Sequence, residues 1–290
     1  MDPINPDWQS KLVLLLVLPF TAVSTLFQIS GWAADAPAVL IWTAGLSLLL
    51  GLVAWRLRAA TPAAALTGTL IAASLMFSTF VYPFRPWETA LVPVLTVLVL
   101  TSVATRFGRG HKEHLGTAEE RRGRGAAQVA ANLGFAALVL EPALLTTLTD
   151  GRWFLRTHLP PGAIFAVGLA ALSEAAADTL SSEIGQVLGG RPRMITTLRS
   201  VEPGTDGGIT LQGTAVGILA AGIVAAAGSM ALRGGALMVA VSWSGGVFGL
   251  LFDSLLGATL ERRGWLNNDA VNFLSTASAA GFALMVLGRQ

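Results

Sequence analysis

The chain has no cysteine, one tyrosine, three histidines and few charges, with 19 basic and 17 acidic residues among 290, or 12%. Soluble domains carry about 25% charged residues. Without cysteine there is no thiolate zinc site, iron–sulfur cluster, thiol nucleophile or disulfide-stapled module. A net charge of only +2 excludes a nucleic-acid-binding stripe, although the isoelectric point is near 9.7. No G-x-x-x-x-G-K-[ST] loop occurs, so nucleotide binding of the Walker type is excluded too. What the chain has is apolar surface: 53% hydrophobic residues and a mean hydropathy of +0.64. Neither a soluble single domain nor a disordered chain has that composition. The expected fold class is all-α, a polytopic transmembrane helix bundle.

A helix needs roughly 20 apolar residues to cross a bilayer. Nine stretches approach that length: 12–29, 38–53, 62–80, 90–103, 126–148, 162–180, 209–232, 236–256 and 270–287. All are rich in Ala, Leu, Gly and Val, and small residues let helices approach closely in lipid. Trp32, Trp42, Trp87, Trp153 and Trp265 stand near their ends, as interfacial aromatics do. The first stretch reads as a retained span, because Asp2 and Asp7 spoil a basic leader and Pro37 would follow the cleavage-like Ala34-Asp35-Ala36. With a cytoplasmic amino terminus, 14 of the 19 basic residues fall on the inside, leaving Arg85, Arg152, Arg156, Arg233 and Arg289 outside. That sets the expected localisation: a bacterial-type inner membrane, with the active face cytoplasmic. The chain reads as one integral-membrane domain, 1–290, with peripheral spans in 1–60 and a catalytic-type core in 105–290.

Charge inside a span is costly and marks function. Glu174, Asp178 and Ser182 stand four apart near the end of the sixth stretch, flanked by Ser181 and Glu183. They share one helical face. Carboxylates grouped with hydroxyls suit a hard cation such as Mg²⁺. The bland alternative is that these acids pair with arginines to pin helices together. In the eighth stretch Gly249, Asp253 and Gly257 are also four apart, with Ser254 beside Asp253. Topology brings Asp253 to the same end and depth as Asp178, and Asp178, Glu183 and Asp253 form the candidate metal and catalytic set.

Between these stretches, Arg193 and Arg199 offer guanidinium groups to phosphates. Gly207 and Gly208 end a glycine-rich turn before the seventh stretch, with Thr214 just beyond. The turn either cradles an anion on backbone N–H groups or is only a tight connection. The basic segment 108–132 either enforces topology or supplies Lys112 and Arg124 to phosphates, with Gln128 and Asn132 bonding ligand. Asn268 is a helix cap or a site residue, and Asn272 lies one turn deeper.

The runs EAAADTLSSEIGQ, TTLRSVEPGTDGGITLQGT, GGVFGLLFDSLLGA and VNFLST, taken in order, resemble a family of integral membrane proteins. That family includes the eukaryotic transmembrane protein 19 and the plant chloroplast phytyl-phosphate kinases of vitamin E synthesis. The segment holding Lys112, Arg124, Gln128 and Asn132 is similar to the family's loop before its Q-V-x-x-N. The resemblance implies a Mg²⁺-dependent kinase converting a prenyl monophosphate (phytyl or geranylgeranyl) to the diphosphate. CTP or another nucleoside triphosphate would be the donor, since the family also resembles CTP-using polyprenol and diacylglycerol kinases. The expected partners are that lipid, the nucleotide and the bilayer, with no nucleic acid. The alternatives are a transporter of a small solute or ion, and a related CTP-using lipid-phosphate cytidylyltransferase or prenol kinase.

Overall fold

In the computed structural model, which describes residues 7–117, 123–141 and 161–289, each of the nine apolar stretches coincides with a helix. In chain order the helices are α1 (Asp7–Asp35), α2 (Pro37–Arg56), α3 (Pro62–Ser78), α4 (Leu91–Arg106), α5 (Arg109–Leu115) and α6 (Ala126–Val139). They continue as α7 (Pro161–Leu188), α8 (Leu211–Ala231), α9 (Ala236–Leu256) and α10 (Asn268–Leu287). A two-stranded antiparallel hairpin, β1 (Arg193–Met194) and β2 (Gly208–Ile209), closes the connection between α7 and α8. Residues 142–148 of the fifth stretch, Arg121, Arg122, Arg152, Trp153, Arg156 and His158 lie outside the described residues.

Local chemistry sets the helix starts. Pro37 and Pro62 occupy the first turns of α2 and α3, where their missing N–H removes no bond. Thr61 caps α3, Thr210 caps α8 and Asn267 caps α10, each side-chain oxygen accepting from a backbone N–H three residues on, at 3.3, 3.0 and 2.9 Å. Among the described residues six helices are long and apolar enough to span a membrane, and the bent α4–α5 pair makes a seventh if it is one span. The expected count of about nine therefore depends on α3 and α6, whose described lengths of 17 and 14 residues fall short of a full crossing. The 62° bend between α4 and α5 falls at Gly108, which has φ +59° and lies against Val187 of α7. A side chain there would meet both restraints at once.

Helix α7 is the axis of the bundle. Its apolar window is 89% buried against 28–44% for the other long helices, and α4, α6, α8, α9 and α10 all pack on it. Glycines make that possible. A Cβ on Gly213 or Gly217 of α8 would stand 2.5 or 2.8 Å from the carbonyl oxygens of Ser181 and Ala177. One on Gly246 of α9 would stand 2.7 Å from Ser173 Cβ, and one on Gly249 would stand 2.5 Å from Glu174 Cγ. The backbones of α8 and α9 thus lie directly against α7, the small-residue packing that helices use in lipid.

Both ends of the bundle are tied. At one end Gln9 Nε2 donates to Trp265 O (2.8 Å) and Ser10 Oγ donates to Asp269 Oδ2 (2.6 Å), joining the start of α1 to the start of α10. At the other, Arg233 after α8 donates to Glu88 Oε1 at 2.6 Å, and that hydrogen bond lowers the Glu88 pKa. Helix α1 packs on α6 and α3. Val13 and Val17 of α1 belong to the main core, with Val17 filling the space left by Gly134 of α6.

Replacing Gly213 by valine should destabilise the bundle by about 1–3 kcal/mol through overpacking. Gly281→Ala, at a glycine with nothing within 4 Å of its would-be Cβ, should cost nothing measurable. Thermal unfolding in detergent, followed by circular dichroism, checks both.

Candidate functional site

At the end of the bundle where α7 and α9 finish, a polar cavity of about 290 Å³ opens beneath the β1–β2 hairpin. Helix α7 contributes Asp178, Ser181, Ser182, Gly185 and Gln186; α9 contributes Asp253 and Ser254. Glu261 enters from a single π-helical turn, Gly257–Glu261, that prolongs α9, and Asn268 from the start of α10. The hairpin loop, Gly204 to Thr210, forms the roof.

Four carboxylates line this cavity (Asp178, Asp206, Asp253 and Glu261), and among the described residues no lysine or arginine does. Asp178 and Asp253, on different helices, both line the cavity and act on each other's charge. Glu174 lies one turn deeper on α7, 1% exposed, its stem against Gly249. Three buried oxygens here have no hydrogen-bond partner: Asp253 Oδ2, Glu174 Oε1 and Gln186 Oε1. All three are acceptors. Burial also raises the Asp206 pKa in the roof, an effect that Arg262 nearby partly offsets. A lining of acids and orphaned acceptors attracts a cation and repels a bare phosphate.

That finding redistributes the residues expected from sequence. Asp178, Asp253, Ser181, Ser182, Ser254, Asn268, Gly207 and Gly208 converge on the cavity. Glu183 does not join Asp178 and Asp253; it pairs with Lys112. Lys112 is 1% exposed and also donates to the carbonyl oxygens of Ala104 (3.1 Å) and Thr105 (2.9 Å), so all three ammonium protons are committed within the fold. The pair clamps α5 onto α7. Arg193 and Arg199 are exposed on the hairpin and face away from the cavity lining, Arg193 donating to Leu198 O at 3.3 Å. Thr214 stands one turn beyond Thr210, and it is Thr210 that lines the cavity. Gly207 has φ +73° and lies against Ala258 of the π turn, so glycine there answers first to backbone packing. Asn272 is buried in α10 away from the cavity.

Glu261, Asp206 and Gln186 were missed from the sequence. Glu261 did carry a signal, since Asp253, Gly257 and Glu261 continue one four-residue series, but it was hidden among loop residues.

Arg124 lies outside the cavity lining, beside the same edge of α7. Its Nη2 donates to Thr179 Oγ1 at 3.3 Å, and its charge acts on Asp178 next door. The backbone of Arg124 is fixed by bonds to Ala59 O (3.1 Å) and from Thr61 N (3.0 Å). It opens onto a second, larger cavity of about 550 Å³, which Asn132 also lines. Asn132 Nδ2 donates to the Gln128 carbonyl at 2.8 Å.

Among the described residues no three His, Cys, Asp or Glu side chains converge as a ready-made metal cage. The site is instead a pair, Asp178 and Asp253, with open acceptors around it. Mg²⁺ is commonly held by one or two carboxylates plus substrate phosphates, and the pair fits that mode.

Comparison with known proteins agrees with this architecture. The profile of an integral membrane protein family, DUF92, matches residues 45–280. The chain belongs to this family. The match takes in both cavities and omits α1. An uncharacterized membrane protein of Methanocaldococcus jannaschii is 44% identical over 37% of the chain and 45% of its own length. One from Synechocystis is 33% identical over 68% of the chain and 73% of its own. Protein VTE6, chloroplastic, of Arabidopsis thaliana is 27% identical over 76% and 65%. The chain thus spans under half of the archaeal relative and just under two thirds of the plant one. No solved structure matches.

Breaking the buried pair by Lys112→Met should destabilise the protein by about 3–5 kcal/mol, because Glu183 is left without its partner. The double variant Lys112→Met/Glu183→Leu should recover most of that loss. A double-mutant cycle on thermal unfolding reads the coupling.

Proposed function

We propose that the protein is a membrane-embedded kinase that extends a prenyl monophosphate to the diphosphate, using a nucleoside triphosphate and Mg²⁺ at the cytoplasmic face. The observation that carries this reading is the Asp178–Asp253 pair, which lies in a polar cavity whose charged lining residues, among those described, are all acids, with an unpartnered Asp253 oxygen and with Arg124 bonded to Thr179 beside Asp178. Likeness to protein VTE6, chloroplastic, supports the substrate class, through the resemblance already drawn from the motifs. The bias of basic residues toward this end supports the orientation.

The reaction forms a bond from an oxygen of the lipid phosphate to the donor's terminal phosphorus. The bond from that phosphorus to the bridging oxygen breaks, and the nucleoside diphosphate leaves with the electron pair. The attacking oxygen is already anionic, so no strong general base is required. The barrier is the meeting of two polyanions, and catalysis is positioning with charge neutralisation. Asp178 and Asp253 would hold Mg²⁺, which supplies the positive charge that the acidic cavity lacks. Arg124 meets the acceptor phosphate. Ser181, Ser182, Thr205 and Thr210 offer hydroxyls to phosphate oxygens at the cavity wall. The hairpin roof and Asn268 border the opening of the site.

Purified protein given phytyl or geranylgeranyl monophosphate, labelled CTP or ATP, and Mg²⁺ should yield labelled lipid diphosphate. Asp178→Asn, Asp253→Asn and Arg124→Ala should each lower the rate by about 10²-fold or more. Arg193→Ala and Arg199→Ala should stay within a few-fold of wild type. Absence of diphosphate with every donor and chain length, or transfer of a nucleotidyl group instead, would overturn the proposal.

A further inference from the structure

The second cavity lies against a neighbouring edge of α7, walled by α2, α3, α4 and α6, and its composition is divided. Its body is apolar, lined by Leu50, Ala65, Gly68, Ala72, Val94 and Val97. Its mouth is basic. Arg58, Arg106, Arg109 and Arg124 gather there, and the only acid among the lining residues is Glu113. Along α4 the lining runs from Val94 to Arg106, about 18 Å at 1.5 Å per residue. Arg109 is paired with Glu113 and Arg106 donates to the carbonyl oxygens of Ser102 and Leu57. An apolar chamber bordered by such arginines is complementary to an amphiphile with a single long hydrocarbon chain and an anionic phosphate head.

Geometry links this chamber to the acid pair. Ala175 of α7 faces the chamber and Asp178, three residues on, faces the polar cavity. Residues three apart are neighbours on a helix surface. Arg124 lines the chamber mouth and donates to Thr179, beside Asp178. A phosphate held at the mouth therefore stands next to the helix edge that carries the metal-binding carboxylate, with its chain pointing away from it.

The floor and walls are made of small residues for identifiable reasons. On the α2 side, Gly51 lets the helices close, since a Cβ there would come 2.9 Å from Ala65 O. Gly68 is different. A Cβ at Gly68 would meet only Val129 Cγ1, at 3.7 Å. No contact fills that position, so a larger side chain there enters the chamber itself.

We infer that the chamber between α2, α3, α4 and α6 seats the hydrocarbon chain of the lipid phosphate, and that the small residues along α3 set the chain length accepted. This rests on the reading of the polar cavity as a phosphotransfer site. It also gives the chain a built compartment within the protein.

Two measurements test it separately from the kinase reading. The first needs no turnover. A geranylgeranyl monophosphate analogue carrying a photoreactive group at the far end of its chain is irradiated with the full-length protein in nanodiscs. Label should fall on peptides of α3 and α4 that include Ala72 and Val94. It should be reduced by excess unlabelled prenyl monophosphate and little by the corresponding uncharged alcohol. Label confined to outward-facing residues of the bundle, or equal competition by the alcohol, overturns the chamber whether or not the protein is a kinase.

The second uses turnover. Gly68→Phe should lower kcat/KM for geranylgeranyl monophosphate relative to geranyl monophosphate by about tenfold or more, the scale of losing methylene contacts in a pocket. Its dependence on donor and Mg²⁺ should be unchanged. Gly68→Ala, whose Cβ would meet Val129 at an ordinary 3.7 Å, should retain wild-type preference and stability. An unchanged preference in a folded Gly68→Phe variant overturns the inference while leaving phosphotransfer intact.

Discussion

Two carboxylates from different helices meet below the surface of a membrane bundle, and the rest of the structure follows from holding them there. Neighbouring buried acids repel, and each ion costs several kcal/mol to desolvate. Such a pair persists only where packing leaves no room to retreat and something positive can share the site. Glycines supply the first condition. Gly246 and Gly249 of α9 and Gly213 and Gly217 of α8 press those helices onto α7 so closely that Asp178 and Asp253 adjoin. For the second condition the described residues offer Arg124, whose charge acts on Asp178 from outside the cavity lining. No basic residue lines the cavity among the described residues, and Asp253 Oδ2 and Glu174 Oε1 accept from no group in the protein.

The basic residues are divided by job. Lys112 is consumed by Glu183 and two carbonyl oxygens, and fastens the bent α4–α5 pair to α7. Arg233 ties the far end of the bundle to Glu88. Among the described basic residues Arg124 alone reaches toward the acid pair, and it does so from the mouth of the larger chamber rather than from the polar cavity. Along one edge of α7 a lining of acids and unpartnered acceptors thus adjoins a lining of apolar side chains and arginines. In the proposed reaction a lipid phosphate would sit at that boundary.

Much of this was legible in the sequence. The apolar stretches predicted every long helix, and the four-residue spacing of Glu174, Asp178 and Ser182 and of Gly249, Asp253 and Gly257 located both walls of the site. What the sequence could not supply was pairing across helices. Lys112 and Glu183 lie 71 residues apart, and nothing in composition or spacing says that each is satisfied by the other. Arg193 and Arg199 looked like phosphate ligands because arginine beside a glycine turn has that chemistry, yet the hairpin turns both outward. Glu261 escaped because the π turn carries α9 past the point where the apolar pattern ends. The large chamber was invisible because a cavity is a property of packing, and its lining of Ala, Gly and Val differs in no way from the surrounding spans.

The central claim is that Asp178 and Asp253 act together on one cation. Electron paramagnetic resonance of Mn²⁺, bound to the protein in nanodiscs with a non-hydrolysable nucleoside triphosphate, tests this directly. The account predicts an ordered, protein-bound Mn²⁺ signal in wild type that is lost to the same degree in Asp178→Asn and in Asp253→Asn. It also predicts that the signal persists in the Arg193→Ala and Arg199→Ala variants. A bound signal that survives both aspartate substitutions in folded protein would contradict it.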